Sequence, residues 1–174
     1  VTDNFTLTPS ITLEPSIRID LPLNDLTPYI QPRVSLHFKP TPTLRFNLRY
    51  GIYHQFIAEN AMVDQFNNYL YYWSIADIKA TSVLKGTHYV AGMSWNTKAG
   101  HIKLEGFYKN TDGLIRYFWD GEAQPLMGSY GKSRAYGMDF YYQKKWGKLD
   151  FWAAYTWSKT EESFNSFETA AFQR

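Results

Sequence analysis

Chemistry in this chain would have to come from four histidines, several clustered tyrosines and a scatter of carboxylates and cations, because cysteine is absent. His37, His54, His88 and His101 have no i, i+2 or i, i+4 histidine partner and no carboxylate cluster at metal-site spacing. They read as structural or surface residues rather than as metal ligands. Serine, histidine and aspartate all occur, but no G-x-S-x-G elbow or other nucleophile motif assembles them. Gly128 and Gly131 read as the tip of a loop before a strand. No catalytic residue, metal or cofactor is therefore assigned, and an enzyme is not expected.

Binding is the better use of these side chains. Tyr69, Tyr71, Tyr72 and Trp73 fall in one long link, and Arg116, Tyr117 and Trp119 fall in the next. Loop aromatics can grip a sugar, an aromatic chelate or a partner protein, and they can equally hold the loop against its neighbours. The absence of cysteine rules out a disulfide framework, a Cys-ligated zinc and a thiol nucleophile. A net charge of +2 with no basic run gives nucleic-acid binding no electrostatic footprint.

The elements that must carry these residues are strands. A mean hydropathy of −0.42 over 174 residues suits a water-soluble protein. It equally suits a membrane barrel, whose apolar outer and polar inner positions cancel in any average. No stretch approaches the roughly 20 apolar residues of a spanning helix, so periodicity decides. From Phe5 to Ile19 every odd residue is apolar or Pro, and every even one is Thr, Ser, Glu or Arg. That is one long strand, weakened by Pro9 and Pro15. Leu44, Phe46, Leu48, Tyr50 and Ile52 alternate with Arg45, Asn47, Arg49, Gly51 and Tyr53. The rhythm returns around Val34 to Phe38, Tyr89 to Asn96, Ile102 to Lys109, Tyr136 to Gln143 and Leu149 to Ser158, giving seven strands. The first run far exceeds the usual 5–6 residues of a globular strand and suits the roughly 9–11 of a tilted spanning one.

The links alternate in length. Lys39 to Thr43, Thr97 to Gly100 and Lys144 to Lys148 are short and turn-like, whereas Leu21 to Pro28, His54 to Thr87, Asn110 to Arg134 and the tail after Lys159 are long. A short helical turn within Ile57 to Asn68 is the one helix-period candidate. Strict alternation sends every long link to the same side of the sheet, the asymmetry of an outer-membrane barrel with short periplasmic turns. Phe38, Trp95 and Tyr142 sit near the short-turn ends, and Tyr29, Tyr53, Tyr108 and Trp157 near the long-link ends, as two interfacial girdles would require. On the face opposite the aliphatics, Glu14, Arg18, Arg33, Arg45, Arg49, Lys103, Glu105, Lys109, Asp139 and Asp150 would face the lumen. Their mixed signs on neighbouring strands suit cross-strand pairs or contacts to a plug.

Four segments in order carry a resemblance. They are QPRVSLHFKPTPTLRFNLRYGIYHQF from Gln31, DIKATSVLKGTHYVAGMSW from Asp77, HIKLEGFYKNTDGLIRY from His101 and GKSRAYGMDFYYQKKWGKLDFWAAYTWSKTEESF from Gly131. Together they resemble the barrel strands of TonB-dependent outer-membrane receptors of the Bacteroidetes type. The resemblance implies an all-β, antiparallel up-and-down transmembrane barrel, of which this chain supplies part of a wall of about 22 strands. It implies a bacterial outer-membrane location, contact with outer-membrane lipid and lipopolysaccharide, and uptake of a siderophore, glycan, cobalamin or peptide. Energy would arrive from TonB through a plug outside residues 1–174, which form one partial barrel domain with no second domain. Any leader would likewise lie outside the chain, which starts at Val1. The family's association with surface lipoproteins adds an alternative, a structural barrel anchoring a surface complex. A soluble glycan-binding β-sandwich is a third reading, disfavoured by strand length and one-sided links.

Overall fold

A computed structural model describes residues 2–22, 27–63, 66, 68–76, 82–120 and 124–165; residues 63, 118–120 and 124–127 are described as backbone. Among the described residues there are ten strands and no helix. They are β1 (Phe5–Thr8), β2 (Ile11–Asp20), β3 (Tyr29–Phe38), β4 (Leu44–Gln55), β5 (Ile57–Val63), β6 (Tyr69–Ile75), β7 (Leu84–Thr97), β8 (Gly100–Asp120), β9 (Gln124–Trp146) and β10 (Leu149–Phe164). The wall runs β1-β2-β3-β4-β7-β8-β9-β10, with every neighbouring pair antiparallel and the sheet unclosed. Tight connections at residues 9–10, 39–43, 98–99 and 147–148 all lie at one end of this wall.

Register carries the alternation across the sheet. Ile11, Phe38, Phe46, Met93, Leu104, Phe140 and Tyr155 form one transverse row, and Leu13, Leu36, Leu48, Ala91, Gly106, Met138 and Trp157 the next. A third row contains Val34, Tyr50, Tyr89, Tyr108 and Tyr136. Successive rings in it lie 5.1 Å apart (Tyr50–Tyr89) and 6.2 Å apart (Tyr89–Tyr108). Cross-strand aromatic pairs of this kind contribute roughly 0.2–1 kcal/mol each. On β7 the apolar side runs from Tyr89 to Trp95, a span of about 20 Å along the strand. These side chains do not converge on a dry centre: Leu48, Met138 and Tyr155 are 52%, 53% and 66% exposed. Among the described residues the buried hydrophobic ones are Ala58 and Ile115.

Four sequence expectations need correction. The run from Phe5 to Ile19 is not one strand; it folds at Pro9 and Ser10 into the β1–β2 hairpin, pairing Phe5 with Leu13. Proline ends the ladder there because it cannot donate to it. The stretch within Ile57 to Asn68 read as a helical turn is instead β5, paired with β6 from Ile57↔Ile75 to Val63↔Tyr69. The link Asn110 to Arg134 is largely strand: β8 and β9 stay paired to Asp120↔Gln124, so Gly128 and Gly131 lie inside β9 rather than at a loop tip. Past the tyrosine row this hairpin continues on the order of 35 Å. Tyr53 belongs to no interfacial girdle. It shares the polar face with Arg33, whose guanidinium lies 4.6 Å from the ring centre.

The β8–β9 extension contains a bulge. Register slips between Asp112 and Leu114, and Gly113 between them has φ of +91°. A Cβ there would come within 2.9 Å of the Val83 carbonyl oxygen. Gly113→Val should therefore lower stability by about 1–3 kcal/mol, the usual cost of such strain. A reduced thermal midpoint of the detergent-extracted receptor, with unchanged expression, is the result that checks it.

Candidate functional site

Two groups of side chains lie on the polar face, one within the wall and one on its long-link end. Within the wall, Arg49 Nη2 on β4 donates to Glu105 Oε2 on β8 at 2.6 Å. The pair reaches diagonally across β7, where Val90 stands opposite Arg49 and Gly92 opposite Glu105. A Cβ on Gly92 would stand 3.4 Å from that same carboxylate oxygen. Glu105 shares a shallow hollow of about 490 Å³ with Lys103, Asp139, His101, Tyr141 and Gln143. Asp139 accepts from Thr156 Oγ1 at 2.7 Å. Arg45 and Lys103 flank Ser94 and make no ion pair among the described residues. Asp150 sits apart, near the short turn, accepting from Gln143 at 3.1 Å and lying 3.7 Å from Lys145. Such partly exposed pairs contribute about 0.2–1 kcal/mol each.

Higher on the same face, Asp20 accepts from Gln31 and from Arg18, the latter at 2.9 Å. Gln31 in turn accepts from Arg33 Nη2 at 3.2 Å, and the Tyr53 ring beneath Arg33 lies 4.6 Å from His88. Glu14 lies 3.3 Å from His37, whose other ring nitrogen is 2.7 Å from Asn47. His37 and His88 thus sit apart, each among its own neighbours. Among the described residues no three His, Asp or Glu gather as a metal set.

The second group sits beyond the tyrosine row. Below the bulge, even residues of β8 share the apolar side; above it, Leu114 pairs with Gly131 and Arg116 with Ser129, so Leu114 and Arg116 fall on the polar face. β5 docks parallel to this part of β8, with Ala61 opposite Arg116 and Met62 opposite Tyr117. It occupies the edge of β8 that β7, whose pairing stops at Asp112, leaves open. The result is a hollow of about 310 Å³ lined by Tyr69, Tyr71, Glu59, Arg116, Glu162 and Phe164, among others. Arg116 Nη2 is 3.0 Å from Glu162 Oε2, and its guanidinium lies 4.3 Å from the Phe164 ring centre. The Tyr69 and Tyr71 rings run nearly parallel, at 19° and 6.4 Å. A flat aromatic strip beside a fixed cation and anion can bind a ligand with both a planar or ring-shaped apolar part and polar groups.

The remaining predicted aromatics separate from this hollow. Tyr72 lies on the opposite side of the β5–β6 hairpin with Tyr117, ring centres 6.0 Å apart. Trp73 faces Glu59 across the hairpin and is 68% exposed. Trp119 belongs to β8, and its side chain lies outside the described residues, as do residues 77–81 of the second resembling segment and the tail 166–174. Sequence reasoning missed Glu162 and Phe164. Their signal was available: Ser158, Thr160, Glu162 and Phe164 prolong the even-numbered face of β10 beyond the point where the rhythm was followed.

Long antiparallel strands, an unburied apolar band bordered by tyrosines and an opposite face of paired charges define the wall of a membrane β-barrel. Among the described residues no helix is long and apolar enough to cross a membrane, so any crossing by these residues falls to strands. The family described as TonB dependent receptor-like, beta-barrel matches residues 1–173, and the chain belongs to that family. No curated protein and no solved structure matches it.

Burial, followed by the neighbouring Tyr117 phenol, pushes the Tyr72 hydroxyl up to about 12 from its ordinary 10.0. A raised folded-state value means that this phenol favours the docked hairpin fully below pH 10.0, and that the contribution is lost as pH rises through about 12. Spectrophotometric titration of the folded receptor should show one late phenolate step, and Tyr72→Phe should remove it.

Proposed function

We propose that this chain is part of the barrel of an outer-membrane import receptor of the Bacteroidetes type, which captures a nutrient above its lumen and passes it inward past a plug moved by TonB. The observation that carries the reading is the outer hollow, where β5–β6 sets Tyr69 and Tyr71 beside the Arg116–Glu162 pair on the polar face. In this reading residues 1–174 form a single partial barrel domain, the apolar face meets lipid, and Arg45, Arg49, Lys103, Glu105, Asp139 and Asp150 line the lumen. Family membership supports transport rather than catalysis, together with an outer-membrane location, a plug and TonB as partners. Arg45 and Lys103, which make no ion pair among the described residues, suit an acidic surface on that plug. Tyr69, Tyr71 and Arg116 contact the ligand, Tyr72 and Tyr117 fix the hairpin that presents them, and Trp73 extends the aromatic surface around it.

A second reading, a barrel anchoring a surface complex with a lipoprotein, draws support from the apolar side chains the hairpin leaves open. Trp73, Ile75 and Leu70 are 68%, 67% and 51% exposed, more than a solvated hairpin needs.

Uptake of four probes separates the two readings: a ferric catecholate, a maltooligosaccharide, cobalamin and a decapeptide, presented to cells expressing the full-length receptor. Import requires that one of them accumulate only when TonB is present. Tyr71→Ala and Arg116→Ala should each then lower its binding about tenfold, the loss of one well-placed contact of roughly 1.4 kcal/mol, at unchanged receptor level. Accumulation indifferent to TonB for all four would overturn import in favour of the anchor.

A further inference from the structure

The β5–β6 hairpin stands off the wall, and its outer strand has an open side. Among the described residues β6 pairs with β5 alone. The open sides of β1 and β10 differ from it, because a closing barrel covers both, whereas closure does not reach β6. Ala76 donates its backbone N–H to the Phe56 carbonyl at 2.6 Å, which fixes the phase of the hairpin. Ala76 and, by alternation, Ser74, Tyr72 and Leu70 bond inward to β5, so Tyr69, Tyr71, Trp73 and Ile75 turn their N–H and C=O groups outward. Such a row is a template for another strand. Edges in water are usually blunted by charged residues or Pro, and Tyr69–Ile75 contains neither.

The side chains of the same four residues lie on the face that carries the outer hollow. Trp73 stands opposite Glu59 and Tyr71 opposite Ala61, which in turn pairs with Arg116. Tyr71, Trp73 and Ile75 are 58%, 68% and 67% exposed and form one apolar strip along the edge. The two acids beside it differ. Glu162 is held by Arg116 at 3.0 Å, whereas Glu59 makes no hydrogen bond or ion pair among the described residues. The edge therefore offers main-chain partners, flat rings and an open carboxylate. A sugar or a corrin can stack on the rings, but neither can satisfy a periodic row of N–H and C=O groups.

We propose that β6 captures a basic peptide in extended form, added antiparallel as a further strand, with a Lys or Arg of the peptide laid over Trp73 toward Glu59. The proposal deepens the import reading and rests on its placing of the long links outside the cell. Antiparallel addition is the more stable pairing, and it sets the side chains of a hydrogen-bonded pair on one face. A peptide residue that bonds to Trp73 through its own N–H and C=O thus sends its side chain over the indole, where a cation is attracted. Glu59 lies two strand spacings from such a peptide, about 10 Å, which a Lys or Arg and a Glu span between them.

The test uses the full-length receptor in mild detergent and a fluorescent decapeptide of alternating lysine and valine, with binding read by anisotropy. N-methylation of the lysines keeps their charge but removes the donors facing β6, and should abolish binding; N-methylation of the valines should leave it unchanged. Glutamate in place of lysine should abolish it too. Glu59→Gln should weaken binding about threefold, the effect of an exposed ion pair, and Trp73→Ala about fivefold, that of a cation over a ring. Tyr71→Pro, which deletes an outward donor from an edge where proline is tolerated, should abolish binding, and Tyr71→Phe should keep it. If Tyr71→Pro disturbs the hairpin, the methylated peptides still decide. Equal binding of the two methylated peptides, or the reverse order, overturns this site alone. So does a second outer-membrane protein that copurifies on this edge and must be removed before the peptide binds. Ile75→Cys that a membrane-impermeant maleimide fails to label on intact cells overturns the outward placement beneath it.

Discussion

Backbone hydrogen bonds hold this chain together, and the lipid setting makes them obligatory. In hydrocarbon an unpaired N–H or C=O costs several kcal/mol, so a strand can cross only if both its edges are paired. The antiparallel ladders from β2 through β10 meet that demand inside the sheet and leave the free sides of β1 and β10 still to be satisfied. Side chains then divide by face, because every strand in register must present its apolar residues to the same solvent. Conventional packing contributes little: a sheet with two buried hydrophobic residues among those described is not stabilised by a core of its own. Its apolar side chains are provided for by the membrane.

That division of labour explains how much could be read from the amino-acid order. Residues 44–53, 89–96 and 136–143 see one solvent on each side, so composition alternates and the strands show themselves. Beyond the membrane the constraint lapses. In IAENAMV of β5 burial still alternates, with Ala58 and Asn60 buried between exposed Ile57 and Glu59, but side-chain polarity does not follow it, and the segment resembles a helical turn until its pairing with β6 is seen. In β8 the phase is lost at Gly113, where one extra residue shifts every later side chain to the other face, so a dyad search stops there although the strand does not.

The candidate site was legible in its parts and not in its grouping. Tyr69, Tyr71 and Arg116 stand out by type, but what joins them is a parallel pairing between segments some fifty residues apart, Ala61 with Arg116. No local pattern encodes that contact. The same holds for Arg49 and Glu105, which meet diagonally across β7 beside Gly92. The sequence places a glycine there without saying what passes over it. Tyr72 and Tyr117, expected to bind a ligand with Tyr69 and Tyr71, lie together on the far side of the hairpin, in contact with each other.

The position of β5 also sets an order of events. Its hairpin with β6 closes from neighbouring residues and can form as soon as both have been made. Its seat on β8 does not exist until a much later stretch of chain has been synthesised and zipped onto β7. Distant pairings of this kind carry the larger loop-closure entropy and form late. A partly assembled wall therefore lacks the hollow that gathers Tyr69, Tyr71 and Arg116, which takes shape only as the sheet beneath it is completed.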